Sequence, residues 1–249
     1  MLKLSQADEY RGLAIVAFID LLGYSEYVNK NWKSGESEAL DTILKMKREF
    51  LTEPGGAIIR IKGHNDHDKA RYVPHIINIS DSFVFVTRFH KWYQPLDMFG
   101  AVAGLCGAVI SLARLTTKHG FAIRGGVELE NVYQAGSEII GPAFNAAYTL
   151  EAKIAKRCRV VVGPNFMATT SCINDATTML CGLFNRDADN MISIHHSTPD
   201  LIEPMIKIRD NAPENVRYKY EYYFSNVAKT DFCPTKGQWR KTRTPHAQR

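Results

Sequence analysis

Leu13–Val28, LAIVAFIDLLGYSEYV, decides how the rest of the chain is read. Its first eight residues are almost continuously apolar and rich in β-formers, which is how a strand buried on both faces reads. The run ends on Asp20, and Leu22-Gly23-Tyr24-Ser25 breaks it. Ser25 to Val28 then opens a polar-apolar pattern compatible with a helix, so Gly23 and Ser25 stand where a strand turns into a helix N-terminus. Free backbone N–H groups at such a place can hold phosphate oxygens.

Working outward, a second helix is expected from Glu36 to Leu51, ended by Pro54-Gly55-Gly56. Residues 57–72 turn polar in their second half and read as an exposed loop. His75–Ile79 and Phe83–Val86 are two β-rich runs meeting at Ser80-Asp81-Ser82, a hairpin with a carboxylate at its tip. Pro95–His119 is a long helix whose glycines and alanines suit close packing, and Gly120 stops it. Phe121–Glu128 reads as a strand, with a turn near Gln134-Ala135-Gly136. Gly141-Pro142 then starts a helix over about 143–154, and Arg159–Val162 is one more strand. Beyond Gly163 the pattern weakens. A helix follows Pro164, residues 187–197 are ambiguous, and Asn215–Asn226 is an aromatic helix or strand docked on the body.

At 249 residues and 45% hydrophobic content, the chain can bury the core of one full α/β domain plus an appendage. Charged residues at 23% and a net charge of +5 exclude disorder by composition and fall short of the concentrated basicity of a DNA-binding module. The five cysteines are widely spaced with no CxxC pair, so neither a disulfide framework nor a zinc site is indicated. Met1–Arg11 is polar, and no apolar run is expected to reach the roughly 18 to 20 residues a membrane span needs, so a cytoplasmic protein without a membrane partner is expected.

Asp20 and Asp81 are the residues with chemical promise. A carboxylate ending a buried strand and another at a hairpin tip face one another if the two strands are neighbours, and together they offer hard oxygen ligands for divalent cations. Taken singly, each has an ordinary explanation, since aspartate often ends a strand or serves a turn. His64, Asp66 and His67 lie in a polar loop without a defined ligand set, and His195-His196 is similar; exposed or structural histidines are the better reading. Tyr218, Tyr220, Tyr222, Tyr223 and Phe224 suit a half-buried packing strip better than a base-stacking one. No GxxxxGK loop, GxSxG elbow or GxGxxG fingerprint is present, which removes support for P-loop ATPase, hydrolase and dinucleotide-binding functions.

Phe18-Ile19-Asp20-Leu21-Leu22-Gly23-Tyr24-Ser25 resembles the FxDxxGF[ST] signature of class III adenylate and guanylate cyclases. Ser80-Asp81-Ser82 stands in the hairpin position of that family's second metal-binding aspartate. Arg124-Gly125-Gly126-Val127-Glu128 resembles its next core strand, and Gly141–Glu151 resembles its GxxVNxAxRLE helix. More narrowly, Ile140–Glu151, the RGG strand and the aromatic run Arg217–Asn226 resemble the pyrimidine cyclases of the bacterial Pycsar antiphage system.

The resemblance implies an α+β fold: a ferredoxin-like palm core with a central, mainly antiparallel sheet flanked by helices, assembled as a homodimer with shared active sites. It implies a catalytic core over 1–163, a C-terminal extension packed on it over 164–229, and a basic tail over 230–249. Two divalent cations, Mn or Mg, would be held by Asp20 and Asp81, with the Leu21 carbonyl as a further ligand. Gly23, Tyr24 and Ser25 would contact the triphosphate, and Asn145 of the second subunit would orient the ribose. The position of the family's transition-state arginine is Thr149, so that charge must come from elsewhere; Arg124, Lys153, Lys156 and Arg159 are the candidates. The base-selecting positions fall at Ile77 or Asn78 and at Glu138. The implied activity is conversion of UTP to cyclic UMP and pyrophosphate, a second messenger that activates an effector in antiphage defence. The alternatives are a cytidylate cyclase acting on CTP, or an inactive cyclase-homology module that binds nucleotide. A palm-like nucleotidyl transferase acting on nucleic acid is a further rival; no nucleic-acid partner is expected.

Overall fold

The computed structural model describes residues 9–32, 37–52, 73–89, 95–170 and 182–227. The opening apolar run is longer than its sequence pattern suggests: β1 spans Tyr10–Leu22. It lies inside the sheet between β3 (Ser82–Arg88) and β4 (Ala122–Ala135), antiparallel to both. Side chains alternate across the sheet, so Ile15, Ala17, Ile19 and Leu21 enter one core cluster while Ala14, Val16 and Phe18 enter another. Burial on both faces is why the run shows no polar alternation.

The full sheet order is β2-β3-β1-β4-β6-β8-β7, where β2 is His75–Ile79, β6 Val160–Val162, β7 Phe184–Arg186 and β8 Ile192–Ile194. β5 (Glu138–Ile140) folds back on the end of β4. Among the described strands, only the β4–β6 pair is parallel. The result is a mixed α+β fold with a central, mostly antiparallel sheet flanked by helices. The region left ambiguous by sequence supplies β7 and β8, which extend the same sheet through β6. Three-residue strands are too short to show periodicity.

On the first face lie α2 (Glu38–Thr52) and α3 (Pro95–Lys118), which bury Met46, Phe50, Leu105 and Leu112. The stretch Met98–Lys118 is a helix long and apolar enough to cross a membrane by length and composition, which corrects the expectation that no such segment exists; 67% of that window is buried inside the protein, as in a core helix. The second face is covered by α4 (Pro142–Thr149), whose Ala143 and Ala147 are fully buried. Expected to continue as one regular helix to about 154, the chain instead changes to a wider, π-helical segment over Leu150–Ala155. Gly126 lets this stretch lie close to the sheet: a Cβ there would stand 2.3 Å from the Ala147 carbonyl and 2.5 Å from Leu150 Cβ.

After α5 (Pro164–Thr170), α6 (Ile202–Asn211) and α7 (Glu214–Val227) close one end of the sheet. The aromatic run is thus a helix. Tyr220, Tyr222 and Tyr223 are buried with Leu22, Ala122 and Cys158, and Tyr218 remains exposed. His64, Asp66, His67 and the basic tail lie outside the described residues.

Candidate active site

β1 carries Asp20 to the point where it is opposite Ser82 on one side and Arg124 on the other. Asp81 is the residue immediately before Ser82, in the tight turn between β2 and β3, where Ser80 takes a positive φ of 51°. Pairing of β1 with β3 therefore places Asp20 and Asp81 at the same end of this strand pair. Their fields meet: Asp81 pushes the Asp20 carboxyl upward in pKa, adding to the larger effect of burial, while Arg124 opposes both. Asp81 likewise raises Tyr24 and Glu151, each after burial as the main cause, and partly offsets the lowering of Lys47 by burial.

Arg124 is the cation at the centre of this group. Its Nε donates to Asp20 Oδ2 at 2.9 Å, and its Nη2 lies 2.8 Å from the same oxygen. Glu151 Oε1 lies 2.7 Å from Arg124 Nε but forms no aligned hydrogen bond, because the single Nε–H already points at Asp20. Even alternation places Asp20 on the α4 face of the sheet with Phe18, which is why the π-helical turn after α4 can present Glu151 to it. Glu151 closes the Gly141–Glu151 motif, where nothing local gives it a role, and no motif marks Lys47 on α2. The Lys47 ammonium donates to the Ser80 carbonyl and sits 5.6 Å from the Phe83 ring centre.

Gly23 follows directly. It caps α1 (Tyr24–Asn31) in the left-handed conformation, φ 90°, with no capping side chain. The first intrahelical donor is Tyr27 N–H to Gly23 O, so the N–H groups of Tyr24, Ser25 and Glu26 precede it and remain the helix's orphan donors. Ser25 is exposed, Tyr24 half-buried against Phe121, and the Leu21 side chain is in the core. The helix begins at Tyr24, one residue earlier than the pattern indicated.

The other expected positions separate. Asn145 is exposed on α4, and its carbonyl accepts the Thr149 hydroxyl at 2.8 Å. Asn78 and Glu138 are exposed on β2 and β5, whereas Ile77 is 3% exposed and belongs to the core. Lys153 and Lys156 are exposed on and just after the π segment. Arg159 is buried, and its donors are spoken for: Nε bonds Ala155 O, Nη1 bonds Asp187 and Asp189, and Nη2 bonds Ile154 O and Asp189. Five N–H groups meet five acceptor contacts, so of the candidate replacement cations only Arg124 stands at the two aspartates.

Among the described residues, no three or more His, Cys, Asp and Glu side chains come together as a ready metal cage. A pair of carboxylates still fits a hard divalent cation that draws its remaining ligands from substrate phosphates and water. Two observations favour that fit: burial and mutual repulsion raise Asp20 and Glu151 together, and a buried Glu151 oxygen lacks an aligned donor.

Neither protein-family models nor curated proteins give a match to the chain. Among solved structures it is similar to the guanylyl cyclase Cya2, at 13% identity and TM-score 0.42 over 66% of this chain and 80% of that one. It is similar to an adenylate/guanylate cyclase/hydrolase from Silicibacter pomeroyi, at 15% identity and TM-score 0.41 over 75% of this chain and 96% of that one. A class III adenylyl cyclase-like ATP-binding protein from Pseudomonas aeruginosa is similar at 14% identity and TM-score 0.41, over 93% of this chain but 43% of its own length.

Proposed function

We propose that the protein is a nucleotidyl cyclase of the class III type, acting on a pyrimidine nucleoside triphosphate, with UTP favoured over CTP. The convergence of Asp20 and Asp81 across neighbouring strands, beside the open N-terminus of α1, carries this reading. The ribose 3′ oxygen forms a bond to the α-phosphorus, the bond from that phosphorus to the bridging oxygen breaks, and pyrophosphate leaves with the electron pair. The 3′ hydroxyl proton is lost to solvent or to a phosphate oxygen.

The residues of this chain have separable parts in that reaction. The Tyr24, Ser25 and Glu26 N–H groups hold phosphate oxygens. Arg124 exchanges some of its contact with Asp20 for the triphosphate, and so supplies the positive charge absent at Thr149. Asp20 and Asp81, with the Leu21 carbonyl, would hold Mn or Mg, two ions per site. Metal held by these residues would supply positive charge to the attacking and leaving oxygens. Asn145 of a second subunit orients the ribose, which makes a homodimer with two shared sites the working form. Asn78 and Glu138, both solvent-accessible, stand ready to contact the base. In the cell, cyclic UMP or cyclic CMP would act as a second messenger on an effector in antiphage defence.

Purified protein incubated with manganese and each of the four ribonucleoside triphosphates should yield a cyclic product from UTP, with CTP second. Asp20→Ala and Asp81→Ala should abolish it while circular dichroism stays unchanged. Cyclic product from either variant at the wild-type rate removes the metal assignment, and none from the wild type with any triphosphate favours the inactive nucleotide-binding module.

A further inference from the structure

A cleft of about 790 Å³ is lined by Gly23 and Glu26 but by none of Asp20, Asp81, Arg124 or Glu151, and lies between α1, the C-terminal turn of α3, α6 and α7. Three helices each bring one lysine to it: Lys30 from α1, Lys118 from α3 and Lys207 from α6. Among the described residues Glu26 is the one carboxylate in its lining, and Lys207 also reaches Glu203 at 3.1 Å in a highly exposed pair of little energetic weight. Lys118 feels Glu49 and Asp200, which lie outside the lining. Tyr27, Pro204 and Ile208 give the cleft apolar walls.

A tyrosine from α7 also lines the cleft. Tyr220 is 4% exposed, yet its hydroxyl makes no hydrogen bond to any described residue. That hydroxyl is 3.6 Å from where a Cβ on Gly23 would sit, and both residues line the cleft. The neighbouring tyrosines differ: Tyr222 bonds Asp187 and Ser193, and Tyr223 bonds Thr198. The residue is buried but its hydroxyl is not sealed from solvent, so Tyr220 offers a free donor to an occupant of the lysine-lined cleft.

We propose that this cleft is a second binding site, taking a small phosphate ester with a ring, of the nucleoside monophosphate class. The lysines take the phosphate, the apolar walls the ring, and the Tyr220 hydroxyl a polar edge of the ligand. Gly23 is common to this cleft and to the capping turn of α1, so an occupant would bear on the phosphate-binding N–H groups. That coupling, but not the binding, rests on the cyclase reading.

Equilibrium binding of AMP, adenosine and inorganic phosphate to the full chain in EDTA tests the proposal without metal or turnover. AMP should bind saturably and about tenfold or more tighter than phosphate or adenosine alone. The exposed charge reversal Lys30→Glu with Lys207→Glu should weaken AMP about tenfold, and Tyr220→Phe, which removes only an unpaired hydroxyl, about threefold. Asp81→Ala should leave the affinity unchanged. Absence of saturable AMP binding, affinity no better than that of phosphate, indifference to the lysine reversals, or loss in Asp81→Ala would each overturn it. Failure of the wild type to make a cyclic nucleotide would leave this result standing.

Discussion

Arg159→Met should destabilise the fold strongly and do so through Asp187. The guanidinium is 6% exposed and Asp187 is 1% exposed at the side chain, with Nη1 and Oδ2 2.9 Å apart. Asp187 is raised in pKa chiefly by burial, against the lowering influence of Tyr222, Arg159 and Ser193. Removing the cation leaves a buried carboxylate without its countercharge, a loss of about 3–5 kcal/mol. The pH dependence has a definite sign. Without Arg159 the folded-state pKa of Asp187 climbs further above its unfolded value, so protonation favours the folded form. The stability gap between variant and wild type should narrow as pH falls through that raised pKa and widen again as pH rises. Urea unfolding followed by circular dichroism at pH 5 and pH 8 measures the gap, and adding Asp187→Asn should recover more than half of it at the higher pH. A variant with the wild-type urea midpoint but impaired turnover would refute this account and return Arg159 to the substrate.

Two further outcomes follow from local packing. Gly126→Ala forces a methyl group against the Ala147 carbonyl and the Glu151 amide, at 2.3 and 2.9 Å, and should cost about 1–3 kcal/mol in urea unfolding. Gly120→Ala meets nothing within 4 Å and carries only the strain of a φ near +87°, about 1 kcal/mol; equal losses for the two would count against close helix-sheet packing. His196 is fully buried, and burial lowers its pKa to about 4. Because the unfolded chain binds the proton more readily, stability should hold above the ordinary histidine range and fall by about 1 kcal/mol per pH unit on acidification toward the folded value. His196→Leu should flatten that slope, and an unchanged slope would show that other groups set it.

The sequence by itself determined the strand-turn-helix at Leu13–Val28, the carboxylate-tipped hairpin and the helix-starting Gly141-Pro142, because each is a local pattern of apolar period, turn residue or cap. It also marked Asp20 and Asp81, since an aspartate closing an apolar run is visible without a fold. Tertiary structure alone decided that β1 and β3 are neighbours, that a π-helical turn presents Glu151 to Arg124, and that Lys47 reaches the Ser80 turn. It also decided among the cations: Arg124 and Arg159 look alike along the chain, yet one stands with the carboxylate pair and the other is enclosed by Asp187 and Asp189. The β7–β8 extension and the unused Tyr220 hydroxyl belong to the same class. Strand pairing and the partners of a buried charge join residues tens to more than a hundred positions apart, and no local period or propensity encodes those contacts.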